Sequence, residues 1–233
     1  IGWSLIAALV GAGFGSVGNA YNTVTKNNPA LQNVLGGGSA AANAFVSFVV
    51  ILIALICMGF AISGVGTVSE EEQNDRLEPL LSGALSRPRW LAGHAAALVV
   101  GAAVVALAGG LALGISNAIT TGNFTQVWRL IAATFAYLPA VALLLGLSAA
   151  LYGLRPNLLW ISWLPLVFIT VVAVLGDTLQ LPQWVKDISP MSWVGRVPLD
   201  NATAPALVGA LVAALALAAL ALRAFQTRDV PSH

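Results

Sequence analysis

Long apolar stretches separated by short polar ones set the pattern of this chain. Residues 1–18, 43–68, 90–115, 126–151, 158–176 and 204–225 form runs with almost no charge. Each approaches or exceeds the roughly 18 residues that a helix needs to cross a bilayer. The runs lack the two-residue alternation of a barrel strand and are too long for one. The pattern predicts an all-α integral membrane protein with six transmembrane helices.

Composition agrees with that pattern. Of 233 residues, 58% are hydrophobic and 8% charged, with a mean hydropathy of +0.88, whereas a soluble domain carries about 25% charged residues. The first run opens at Ile1 without a Met, a basic flank or a small-residue cleavage site. It reads as a truncated span and not as a signal peptide. A net charge of +1 gives no bulk attraction to nucleic acid, so no nucleic-acid partner is expected. The single cysteine, Cys57, excludes an internal disulfide and a multi-cysteine metal site; in mid-span it reads as a small buried apolar residue.

Orientation follows from the basic residues of the connections, because insertion responds mainly to Lys and Arg. Arg76, Arg87, Arg89, Arg155, Arg223 and Arg228 fall on one side; Lys26, Arg129, Lys186 and Arg196 fall on the other. The 6 to 4 split assigns the first side to the cytoplasm. Segments 19–42, 116–125 and 177–203 then face outward. In the first of these, the run from Asn28-Pro29 to Gly36 has the order of a short helix, with Asn as cap, Pro first and Gly just past the end; an ordinary loop is the other reading. In the third, Trp184 and Trp193 stand among Pro182, Pro190 and Pro198, which suits short segments forming an outer cap at headgroup level. Within the spans, small-residue pairs such as Gly11/Gly15 and Gly110/Gly114 would let helix backbones approach closely.

Several chemistries lack their residues. A nucleotide-binding P-loop needs Gly-Lys-Ser/Thr, but the only lysines, Lys26 and Lys186, follow Thr25 and Val185. No ATP site can be built from this chain. An intramembrane enzyme or an ion-coupled transporter needs ionisable groups at span centres, and here Arg129, Asp177 and Arg223 sit at span ends, where snorkelling accounts for them. Two histidines, His94 and His233, are too few for a zinc site.

Charge concentrates in one inner segment, Ser69-Glu70-Glu71-Glu72-Gln73-Asn74-Asp75-Arg76-Leu77-Glu78-Pro79-Leu80-Leu81. Ser69 with Glu72 has capping-box spacing, and Glu72 with Arg76 has ion-pair spacing. Leu77, Leu80, Leu81 and Ala84 share one side, so an amphipathic helix over about 69–86 is expected on the inner membrane surface, with its acids toward the cytoplasm. Its role is either a solvated connector or a docking surface for a soluble protein.

At this segment the sequence resembles permease subunits of ABC-2 type exporters, most closely the actinobacterial multidrug efflux permeases described as exporters of polyketide antibiotics. The resemblance rests on Glu71-Glu72, on Arg76-Leu77-Glu78-Pro79-Leu80-Leu81, and on Ser86-Arg87-x-Arg89-Trp90-Leu91-x-Gly93-His94. It extends to Asn28-Pro29-Ala30-Leu31 with Leu35-Gly36-Gly37, and to Gly176-Asp177-x-Leu179-x-Leu181-Pro182-x-Trp184-Val185 with Ser189-Pro190. The Arg228-Asp229 ending is similar as well, and Asp75 departs from the glycine usual there.

The resemblance implies that residues 1–233 form one six-helix ABC-2 type transmembrane domain, the C-terminal half of a larger permease, in a bacterial plasma membrane. It implies an N-terminal half or a second permease copy as packing partner, within membrane lipid. It also implies that Glu70, Glu71, Glu72, Arg76 and Glu78 form a coupling helix that rests on a partner ABC ATPase subunit, which holds ATP and Mg while this chain binds no cofactor. The second and fifth spans would line the substrate path through Asn43, Ser47, Phe48, Trp160, Trp163 and Thr170. The expected function is export of amphipathic compounds such as antibiotics or drugs, with no catalytic residues in this chain. An ATP-independent secondary transporter or a lipid exporter is the alternative.

Overall fold

The computed structural model describes residues 1–15, 38–73, 87–200 and 202–227. Its helices are α1 (Gly2–Gly15), α2 (Gly38–Gln73), α3 (Arg87–Thr121), α4 (Thr125–Phe135), α5 (Leu138–Leu154), a 3₁₀ segment (Pro156–Ser162), α6 (Trp163–Leu175), α7 (Gln183–Ile188), α8 (Pro190–Val194) and α9 (Ala204–Thr227). No strand occurs among the described residues.

Five stretches are long and apolar enough to cross a membrane: Ala42–Thr67, Ala92–Thr121, Thr125–Leu154, Asn157–Leu175 and Ala204–Ala224. The first apolar run appears as the 14-residue helix α1, which reaches the edge of the described residues. The expected short helix from Asn28 to Gly36 lies outside the described residues, as do Arg76 and Glu78 of the acidic segment.

Proline and glycine decide where the helices break. Gly122, at φ 72°, follows the end of α3, and the Asn123 side chain accepts from the Thr125 N–H at 3.1 Å as α4 begins. Pro139 has no N–H to give the Phe135 carbonyl, and the span turns there between α4 and α5. Pro156 pushes the residue before it out of the helical region; Arg155 is extended at φ −155° and ψ 124°, and α5 stops at Leu154. One expected start is absent. The backbone of α2 runs unbroken through Ser69 and on to Gln73, so Ser69 opens no new helix.

The core forms around α2. Of its most apolar stretch 67% is buried, against 17% for the stretches in Asn157–Leu175 and in α9. Val49, Ile53, Cys57 and Met58 are at most 1% exposed and join Val105, Leu113 and Leu144 in one cluster. Without a hydrophobic drive between helices in lipid, such packing depends on close van der Waals fit. The two glycine pairs supply it within the chain. A Cβ on Gly11 would stand 2.5 Å from the Gly109 carbonyl oxygen, and one on Gly15 would stand 2.6 Å from the Ser116 Cβ, so this pair seats α1 on α3. Gly110 and Gly114 likewise face Thr134, Ile131 and Val127 of α4.

Candidate functional site

Five charged residues of the described chain, Asp177, Lys186, Asp187, Arg196 and Asp200, lie on the connection between α6 and α9. After α6 the backbone turns through Gly176, and the Leu181 N–H returns to the Gly176 carbonyl at 2.9 Å. Pro182 is extended at the head of α7 and Ser189 is extended at the head of α8, where Pro190 takes the first helical position. These are the short cap segments expected around Trp184 and Trp193. Gly195 closes α8 at φ 81°, in the left-handed region that a side chain disfavours.

Three side chains hold the cap through its backbone. Tyr137, at the break between α4 and α5, donates its hydroxyl to the Gly195 carbonyl at 2.6 Å. Arg129 of α4 donates to the Pro198 carbonyl at 2.9 Å. Ser47 of α2 donates to the Arg196 carbonyl and accepts from the Leu199 N–H, each at 3.2 Å. A buried hydroxyl in an apolar helix needs such partners, and Ser47 is 1% exposed.

The charges form a compact arrangement on that scaffold. Lys186 of α7 pairs with Asp177 at 2.7 Å, and Arg196 pairs with the other carboxylate oxygen of Asp177. Hydrogen bonds from Lys186 and then Arg196 hold the Asp177 carboxyl below the usual carboxylate range. Asp200 accepts from the Arg196 N–H at 3.1 Å, and Gln183 donates to Asp187 at 2.9 Å. Beside these groups lies a cavity of about 280 Å³ with Ile51, Val172 and Ala173 among its walls.

Of the residues expected on a substrate path, Ser47 touches the cap. Phe48, Trp160 and Trp163 are exposed, Asn43 is half-buried, and Thr170 bonds back to the Leu166 carbonyl of its own helix at 2.8 Å. Glu70, Glu71 and Glu72 continue the α2 backbone at the far end of that helix. The sequence reading treated Asp177 and Arg129 as isolated span-end charges; in the structure Asp177 joins Lys186 and Arg196, and Arg129 braces Pro198. A usable signal was present, since Asp177, Lys186, Asp187, Arg196 and Asp200 crowd one connection of a nearly uncharged chain.

Comparison with known proteins shows the family of this chain. The family described as "Multidrug efflux system permease Rv1217c, C-terminal domain" matches residues 1–226. The chain is similar to the multidrug efflux system permease protein Rv1217c of Mycobacterium tuberculosis, with 32% identity over 232 residues. That alignment covers 98% of this chain and 42% of the relative's length.

Proposed function

Because the chain belongs to the multidrug efflux system permease C-terminal domain family, we propose that it is the membrane-embedded half of an ATP-driven ABC exporter of amphipathic compounds, working in the bacterial plasma membrane. The observation that carries the proposal is the family match over residues 1–226, joined to five apolar helices of spanning length. Since the sequence contains no Gly-Lys-Ser/Thr, the proposal gives ATP hydrolysis to a separate ABC ATPase subunit, which would bind ATP and Mg. This chain is then a permease and not an enzyme.

In this proposal the acidic segment Glu70, Glu71, Glu72, Arg76 and Glu78 couples the ATPase to α2. An N-terminal half, or a second permease copy, packs against the exposed faces of α6 and α9. The path runs beside α2 and α6, near Asn43, Ser47, Phe48, Trp160, Trp163 and Thr170. Binding of ATP by the partner closes the cytoplasmic side, and the spans rearrange to release substrate outward.

Reconstitution tests the proposal. The complete permease and its cognate ATPase subunit, placed in proteoliposomes with a panel of amphipathic fluorescent compounds, should show efflux that requires ATP and Mg. Efflux driven by a proton or sodium gradient without the ATPase would make the protein a secondary transporter and overturn the ABC assignment. Movement of labelled phospholipid alone would make it a lipid exporter.

A further inference from the structure

We infer that the cavity at the cap end is a binding site for a zwitterionic headgroup, an anionic oxygen and a primary ammonium carried on one small polar group. The cavity, about 280 Å³, lies just below the volume range of small-molecule pockets, roughly 300–1,000 Å³. It suits a headgroup better than a whole drug-sized molecule.

The two poles of such a group are matched by two different sets of side chains. On the anion-accepting side, Lys186 and Arg196 converge on the single carboxylate of Asp177, which leaves this triad one positive charge in excess. Each cation retains further donors, because an ammonium has three and a guanidinium five. Ser189 adds a hydroxyl that is 0% exposed, lines the cavity and has no hydrogen-bond partner among the described residues. A buried hydroxyl left without a partner carries an uncompensated desolvation penalty, so a ligand oxygen received there relieves it. On the ammonium-accepting side is Asp200. Its carboxylate takes one backbone N–H from Arg196 and forms no ion pair among the described residues. With Asp177, Lys186, Arg196 and Asp200 counted together the charged lining is neutral but divided, the charge pattern complementary to a zwitterion.

The residues around the cavity also suit the headgroup level. Gln183, Lys186, Ser189 and Ser192, all in its lining, come from the same short segments as Trp184 and Trp193, which are 67% and 39% exposed. Exposed tryptophans are typical of the headgroup level of a bilayer. Ile51 and Val172 bring the second wall from helices that span the apolar layer. A zwitterionic headgroup has two sources there, a phosphatidylethanolamine of the bilayer or an amphoteric solute. The inference is independent of ATP-driven export, because occupancy of the site is read without ATP.

The probe is sn-glycero-3-phosphoethanolamine, titrated calorimetrically into the full chain in an uncharged maltoside detergent, with glycerol 3-phosphate and ethanolamine as half-ligands. The wild type should bind the zwitterion at least tenfold more tightly than either half. Asp200→Asn should weaken the zwitterion at least fivefold and leave glycerol 3-phosphate unchanged. Ser189→Ala, a change small enough to preserve the fold, should weaken both. No saturable binding, equal affinity for glycerol 3-phosphate and the zwitterion, or indifference to both substitutions would overturn the site. Nanodiscs identify the source. If phosphatidylethanolamine is the occupant, its addition to phosphatidylglycerol discs abolishes probe binding; if binding persists, the site serves a soluble zwitterion.

Discussion

Tyr137 and Gly195 stand 58 positions apart in sequence and meet through a 2.6 Å hydrogen bond from hydroxyl to carbonyl. Each belongs to an interruption, Tyr137 to the turn between α4 and α5 and Gly195 to the left-handed residue that ends α8. The bond thus fastens the least regular point of a span to the least regular point of the cap. With Arg129 on Pro198 and Ser47 on Arg196 and Leu199, it fixes residues 195–200 from two helices and the turn between α4 and α5.

Removing that hydroxyl should loosen the cap measurably. Tyr137→Phe keeps the ring and deletes the donor, at a cost of about 1 kcal/mol for one net hydrogen bond. Thermal denaturation in detergent should move down accordingly, and amide exchange at Leu199 and Asp200 should accelerate. Unchanged exchange there would mean that Tyr137 contributes packing alone.

Close packing between α5 and α9 makes a second prediction. A Cβ on Gly146 would stand 3.0 Å from the Ala214 carbonyl oxygen and 3.1 Å from the Leu217 Cβ. Gly146→Val should therefore destabilise by about 1–3 kcal/mol, the usual cost of overpacking. Gly209→Ala in α9, where a Cβ meets nothing within 4 Å, should be neutral or stabilising, since glycine inside a helix costs roughly 0.5–1 kcal/mol relative to alanine. Similar melting of the two variants would contradict this interface.

The acid response of the cap follows from Asp177. Lys186 and then Arg196 lower its folded pKa from an unfolded value near 3.9. A group with a depressed folded pKa contributes stability that is present above the unfolded pKa and is lost as pH falls through the folded value. Trp193, which donates to the Asp187 carbonyl at 2.6 Å, reports on the same segment. Its fluorescence should hold steady from neutral pH to the ordinary carboxylate value and change only below it. A transition centred above that value, and abolished by Asp177→Asn, would reverse the sign of the argument.

Orientation is open to direct labelling. In a Cys57→Ala background, Gln73→Cys should react with impermeant maleimide only from the cytoplasmic side, and Asn201→Cys only from outside. The opposite pattern would invert the bundle and remove the coupling role from the acidic segment.

Coupling itself separates two magnitudes. If Glu72 and Glu78 contact basic groups or backbone donors of an ATPase subunit, loss of either costs about 2–5 kcal/mol of association; a solvated carboxylate matters by no more than about 0.5 kcal/mol. Glu72→Ala and Glu78→Ala should each weaken subunit association or uncouple ATP hydrolysis from export, with Gln73→Ala as a near-neutral control. Wild-type export and ATPase stimulation in both would leave the segment a simple connector.

Five of the six expected spans were legible because hydrophobic length is a local property, whereas the glycine pairs, common in so Ala-rich a sequence, are singled out only by their folded contacts. Ser69 misled for a physical reason. A capping box marks a helix start only when the preceding chain is not already helical, and between Thr67 and Gln73 neither proline nor glycine interrupts α2. The polar cap was foreseen only as turns around tryptophans. Its charge arrangement depends on Asp177, Lys186 and Arg196 being folded together, and its attachment on Ser47, whose acceptor lies 149 positions away. No periodicity along the chain encodes such pairings.

The 36 residues of α2 make a rod of about 54 Å, well beyond a hydrocarbon layer of about 30 Å. Its buried residues run from Val46 to Val65, centred near the midpoint of the rod, the natural fulcrum. A tilt of about 10° around that point would displace each end by about 5 Å while the central side chains barely shift. A push applied near Gln73 would then reach the Ser47 end as a swing in the opposite direction, with leverage supplied by helix length.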